Sequence, residues 1–233
     1  MTDMTARSDD AGEIGRGPLS RVTAAVYRML VLEGLLLVAM LPTVIVMALL
    51  GRDASNVPLF VLALLPLAPG LVAAVAAIGA WRRTPDLSPA RAFLLAYRRD
   101  VVATLRWSAP STGLVALLVF NLVHLDAVAG AAVIRPLLVF FAAVLVVWQG
   151  HMVALTAGFH LRTRDAARIA LSQLMPQWRY TLGILSLLLV AGTVVLVASE
   201  FTLLLFAWAF ALFLALLARP LIADVTERFT TDD

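Results

Sequence analysis

Six stretches of this chain stay apolar for long enough to cross a bilayer: roughly Ala24–Leu50, Val57–Trp81, Ser108–Leu125, Val133–Gly158, Tyr180–Ser199 and Phe201–Ala218. A helix traversing a hydrocarbon core of about 30 Å needs ~20 mostly apolar residues. No other single feature constrains the fold as strongly. The composition agrees, since 62% of the 233 residues are hydrophobic and only 14% are charged. A soluble domain is roughly half apolar and about a quarter charged. The absence of cysteine excludes a disulfide scaffold. The expected fold is therefore an all-α, polytopic membrane helix bundle. The last two stretches form one run, interrupted only at Ser199-Glu200. A turn at Glu200 gives six spans; without it there are five, and the C-terminus faces the other side.

The charges orient these spans. All 18 basic residues are arginine, and positively charged loops are retained in the cytoplasm. Sixteen arginines fall on one side: the N-terminal segment through Arg28, the loop after span two, the loop after span four, and the tail. Only Arg52 and Arg135 fall on the other. Both termini are thus expected in the cytoplasm, with the chain in a bacterial inner membrane. Residues 1–23 read as a flexible tail, 24–219 as the membrane domain and 220–233 as a C-terminal tail. Nothing in the first twenty residues has the form of a signal peptide.

Two inner loops have helical character and read as amphipathic elbows, at about 86–107 and 162–179. Ser88-Pro89 has the form of a helix start. Beyond it Phe93, Tyr97, Val101 and Leu105 recur every four residues, while Arg91, Arg98, Arg99 and Arg106 fall largely elsewhere around the helix. The second elbow carries Arg164 and Arg168 and is expected to end or kink at Pro176. Such helices can lie at lipid headgroups, with arginine reaching toward phosphate. Anionic lipid is the expected partner of these arginines, and nucleic acid is not. Trp107 and Trp178 stand where each elbow re-enters the apolar sequence, which is where tryptophan is enriched. The shared order of span, elbow, tryptophan and span reads either as a weak internal repeat or as the common pattern of polytopic proteins.

Three segments resemble the YesL-like family of small bacterial membrane proteins, a family of unknown function. They are Tyr27-Arg28-Met29-Leu30-Val31-Leu32-Glu33-Gly34-Leu35-Leu36 in span one, Leu65-Pro66-Leu67-Ala68-Pro69-Gly70-Leu71-Val72-Ala73-Ala74 in span two, and Ala92-Phe93-Leu94-Leu95-Ala96-Tyr97-Arg98-Arg99-Asp100 in the first elbow. The likeness runs from about Tyr27 to Ala109, and the later spans match in layout only. Glu33 departs from the pattern, placing a carboxyl where the family usually has an asparagine. Because family members often neighbour carbohydrate ABC importer genes, the resemblance implies an accessory role in sugar uptake, with transporter subunits as partners. An importer permease itself is not read here. Asp165-Ala166-Ala167-Arg168-Ile169 imitates the start of a permease coupling helix, but Ala170-Leu171 stand where an Asp-Gly pair should follow.

Ionisable groups within spans are costly and face a protein interior, a cavity or a partner. Glu33 lies in span one, and His151, with Gln149 nearby, lies in span four. If these spans touch, a Glu33–His151 hydrogen bond becomes possible, either as a proton or polar-ligand site or as a packing contact. Arg28 is five residues before Glu33 and so about 140° away round the helix. It is expected to snorkel to the headgroups. Pro66, Pro69 and Gly70 interrupt span two, which reads as a broken helix lining a pathway or as a kinked packing helix. Asn121, His124 and Asp126, near the outer end of span three, read as turn and end-cap residues rather than metal ligands. No cysteine nucleophile, G-x-S-x-G or H-E-x-x-H is present. No catalysis, cofactor or metal is expected, and the oligomeric state is open. The leading function is a noncatalytic accessory subunit or assembly factor of a transporter. The alternative is a small stand-alone transporter or channel using the broken second span and Glu33.

Overall fold

The computed structural model describes residues 18–51, 53–84, 88–125 and 130–229. Arg7, Arg16, Arg52 and Asp126, and most of the expected N-terminal tail, lie outside the described residues. Within them the chain is helical with no strand. In order it forms α1 (Pro18–Leu49), a short 3-10 turn (Ala54–Asn56), α2 (Val57–Ala63), α3 (Leu67–Arg83) and α4 (Pro89–Val123). There follow α5 (Ala131–Gly158), α6 (Thr163–Gln173), α7 (Trp178–Val197), α8 (Glu200–Leu205) and α9 (Ala207–Phe229). Six helical segments are long and apolar enough to span a membrane: Val22–Leu49, Ala54–Arg83, Pro89–Val123, Ala131–Gly158, Trp178–Val197 and Ala207–Glu227. The chain is a polytopic helix bundle.

Span two is interrupted where its prolines fall. Pro66 has no N–H to give to Leu62, and Pro69 none to give to Leu65. Residues 64–66 close instead as a tight turn, in which Leu64, Leu65 and Leu67 donate to Val61, Leu62 and Leu64. The last apolar run turns at Ser199-Glu200 as expected, and the Ser199 hydroxyl accepts the Thr202 N–H at 3.2 Å. A second interruption was not expected. At Phe206 the helix stops, and it restarts as α9.

Three boundaries depart from the sequence reading. The first elbow is not a separate surface helix: it begins at Pro89 as expected, but runs through Trp107 into span three as one 35-residue helix. No glycine or proline lies between Pro89 and Pro110, so nothing stops it there, and the helix continues through Pro110, which is exposed. At ~52 Å this helix exceeds a hydrocarbon core. Trp107 is accordingly buried, edge-on to Trp148 at 6.2 Å, instead of standing at an interface. Because only the second elbow remains a separate helix, the two halves do not repeat in architecture. Helix α1 starts at Pro18, inside the expected tail, and α9 continues past residue 219 to Phe229. The reason for the last is a buried stripe, Ala211, Leu214, Ala218, Leu221 and Val225, which carries the seven-residue packing pattern across Pro220.

Packing divides into two cores. Leu32, Leu36, Ala73, Ala74, Ala77, Ile78, Phe93 and Ala96 bring α1, α3 and α4 together. Met152, Leu155, Ala166, Ala170, Tyr180, Ile184, Leu214 and Leu221 join α5, α6, α7 and α9. The many alanines matter because lipid gives helices no hydrophobic reason to associate, so close van der Waals contact must hold them. Gly150 and Gly183 show this most clearly. A Cβ on Gly150 would lie 2.6 Å from Ile184 Cδ1, and one on Gly183 2.7 Å from Leu217 Cδ1.

Candidate functional site

Glu33 sits on the buried stripe of α1, in series with Leu36, Met40 and Thr43. Its partner comes from the other end of the chain. The Trp208 N–H donates to Glu33 Oε2 at 2.8 Å, across 175 residues. Trp208 is the second residue of α9, and the first N–H groups of any helix have no intrahelical acceptor. A carboxylate there satisfies a donor and meets the positive end of the helix dipole. Glu33 therefore caps the restart of α9 from a different helix. Its Oε1 has no hydrogen-bond partner.

Thr43 performs the opposite service ten residues along α1, ~15 Å at helical rise. Its hydroxyl donates to the Ala63 carbonyl at 2.7 Å. In an unbroken helix that carbonyl would accept from Leu67, but Leu67 donates to Leu64 instead. Thr43 takes up the acceptor that the proline break leaves over. Gly70, just beyond the break, lets α1 approach closely: a Cβ there would lie 2.8 Å from Met40 Cε and 3.6 Å from Leu36 Cδ2. Pro69 and Gly70 are buried and Pro66 is half-buried, so this side of the break is packed against α1.

His151 does not meet Glu33. It is fully buried, its Nδ1 lies 3.1 Å from the Val147 carbonyl, and its ring stands edge-on to Tyr180 at 4.7 Å. Glu33 is turned to α9 because α9 supplies an unpaired N–H, whereas His151 faces α7. The whole segment Trp148–His151 ties α5 to its neighbours. Trp148 Nε1 donates to the Ala167 carbonyl of α6 at 3.3 Å, and Gln149 Nε2 donates to Ser111 Oγ of α4 at 2.9 Å. The Gly150 carbonyl accepts from the Tyr180 hydroxyl of α7 at 2.9 Å. These polar groups serve as helix-to-helix contacts.

The remaining sites are less connected. Arg28 is half-buried on α1. Asn121 and His124 bond back to the Leu117 and Phe120 carbonyls of their own helix, as end-cap residues do. Arg91, Arg98, Arg164 and Arg168 are exposed. Tyr97 is half-buried and stacks on Phe93 at 6.0 Å. Arg99 instead forms a two-point ion pair with its neighbour Asp100, at 2.9 and 2.6 Å.

Sequence reasoning missed Thr43, Ser111, Trp208 and the role of Tyr180. The prolines gave notice that span two would leave a carbonyl free, and a hydroxyl on an adjacent span was the residue type to look for. Nothing comparable marked Phe206. No protein-family model, no curated protein and no solved structure matches the chain.

Proposed function

We propose that this protein is a noncatalytic accessory subunit or assembly factor of the YesL-like kind, serving a membrane transporter, namely a carbohydrate ABC importer. It would reside in a bacterial inner membrane with both termini in the cytoplasm. One observation carries this reading: Glu33, Gln149 and Thr43 are engaged in holding helices to one another. What remains accessible is an array of exposed arginines, Arg91, Arg98, Arg164 and Arg168, on the segments assigned to the inner face. Such an array fits a docking surface for a partner or for anionic headgroups better than a reaction centre. Purification in mild detergent followed by mass spectrometry tests it. Importer subunits should co-purify, and glutamine at the four arginines should abolish their recovery. A clean homo-oligomer contradicts the proposal.

The stand-alone transporter keeps one observation in its favour, the discontinuous second span, since in transporters such spans often flank a substrate site. Flux into proteoliposomes that is abolished in Glu33→Gln supports that alternative.

A further inference from the structure

Where α4, α5 and α6 meet, the structure holds a cavity of about 200 Å³. Met152, Leu155, Phe159 and Leu161 supply apolar wall. Trp107 also lines it; this residue is only 4% exposed, and its indole Nε1 has no hydrogen-bond acceptor. A buried indole N–H normally finds a partner, so an unfilled donor on a residue of the cavity wall is informative. Arg99 also lines the cavity, with its side chain 45% exposed. It spends Nε and Nη2 on Asp100 and keeps Nη1 over. Thr156, Thr163 and His160 add polar groups to the same wall, and Asp100 adds a carboxylate. The site thus combines hydrogen-bond donors, one charge of each sign and an apolar flank. It lies where α5 ends and α6 begins, which is the headgroup level in the orientation proposed above.

We infer that this cavity binds the headgroup of a zwitterionic phospholipid, phosphate toward Trp107 and Arg99, ammonium toward Asp100, with the chains along the apolar wall. A phosphate ester alone satisfies the donors but meets Asp100 unfavourably. A headgroup carrying an ammonium beside its phosphate meets both signs. The inference does not depend on the transporter partner proposed above.

The test is native mass spectrometry of the full chain in detergent, titrated separately with phosphatidylethanolamine, phosphatidylglycerol and soluble phosphoethanolamine. One phosphatidylethanolamine should bind per chain in preference to phosphatidylglycerol. Trp107→Phe and Arg99→Gln should each weaken it about tenfold, as expected for losing a hydrogen bond to a charged group. Arg82→Gln and Arg219→Gln, outside the cavity, should leave it unchanged, and Asp100→Asn should shift preference toward phosphatidylglycerol. Thermal unfolding of each lipid-free variant separates lost binding from lost folding, and Arg99→Gln covers the case in which Trp107→Phe fails to fold. Equal loss from all the arginine variants, or none from Trp107→Phe and Arg99→Gln, overturns the inference. So does full displacement by millimolar phosphoethanolamine, which assigns the site to a soluble ester.

Discussion

The two helix interruptions inside this bundle face the same problem and solve it with opposite chemistry. At residues 64–66 the chain leaves a carbonyl without its donor, and Thr43 supplies a hydroxyl proton. At Phe206 the chain leaves an N–H without its acceptor, and Glu33 supplies a carboxylate oxygen. The cap must be a donor where a helix ends and an acceptor where one begins. Both caps stand on one helix, α1, about ten residues apart on its buried stripe. That helix acts as a strut fixing two breaks at once. An uncapped break in hydrocarbon would be costly, because lipid offers no substitute partner.

Removing the stronger cap should therefore do the most damage. Glu33→Leu leaves the Trp208 N–H buried and unpaired, at an expected cost of about 1–3 kcal/mol. Unfolding in mixed micelles measures it, and hydrogen exchange at Trp208 should quicken selectively. Thr43→Val keeps the shape and removes only the donor. Its expected cost is smaller, about 0.5–1 kcal/mol, because hydrogen bonds between membrane helices are individually modest. The double variant sharpens the contrast: two independent caps should give additive losses within about 0.5 kcal/mol. A large coupling would mean that α1 shifts as a body when either cap goes. Pro66→Ala should change stability least, by under about 0.5 kcal/mol, because Pro69 and the Thr43 contact still favour the break. If Pro66→Ala instead makes Thr43→Val neutral, the helix has healed and the hydroxyl has lost its role.

The comparison also separates what was legible in the sequence from what was not. The break in span two was written in Pro66 and Pro69, since an imino nitrogen cannot donate. The turn before α8 was written in Ser199-Glu200, a polar pair in an otherwise apolar run. The break at Phe206 lies in uniformly apolar sequence with no proline or glycine. Local chemistry therefore gave no sign of it, and Glu33 had no visible partner. His151 was the wrong partner for Glu33, because a depth estimate along two helices says nothing about which of them touch. Trp107 misled for a related reason. A tryptophan at the edge of an apolar block reads as an interface residue, yet the uninterrupted α4 carries it into the core. Tertiary contacts decided each of these cases, and pattern alone could not.

The central claim is that Glu33 is a cap and not a proton carrier. Unfolding of Glu33→Gln beside Glu33→Leu in the same micelles tests it most directly. Glutamine keeps a carbonyl oxygen for the Trp208 N–H and needs no buried charge, so a cap predicts stability within about 0.5 kcal/mol of the parent while leucine loses about 1–3 kcal/mol. Equal losses in the two variants would contradict the account.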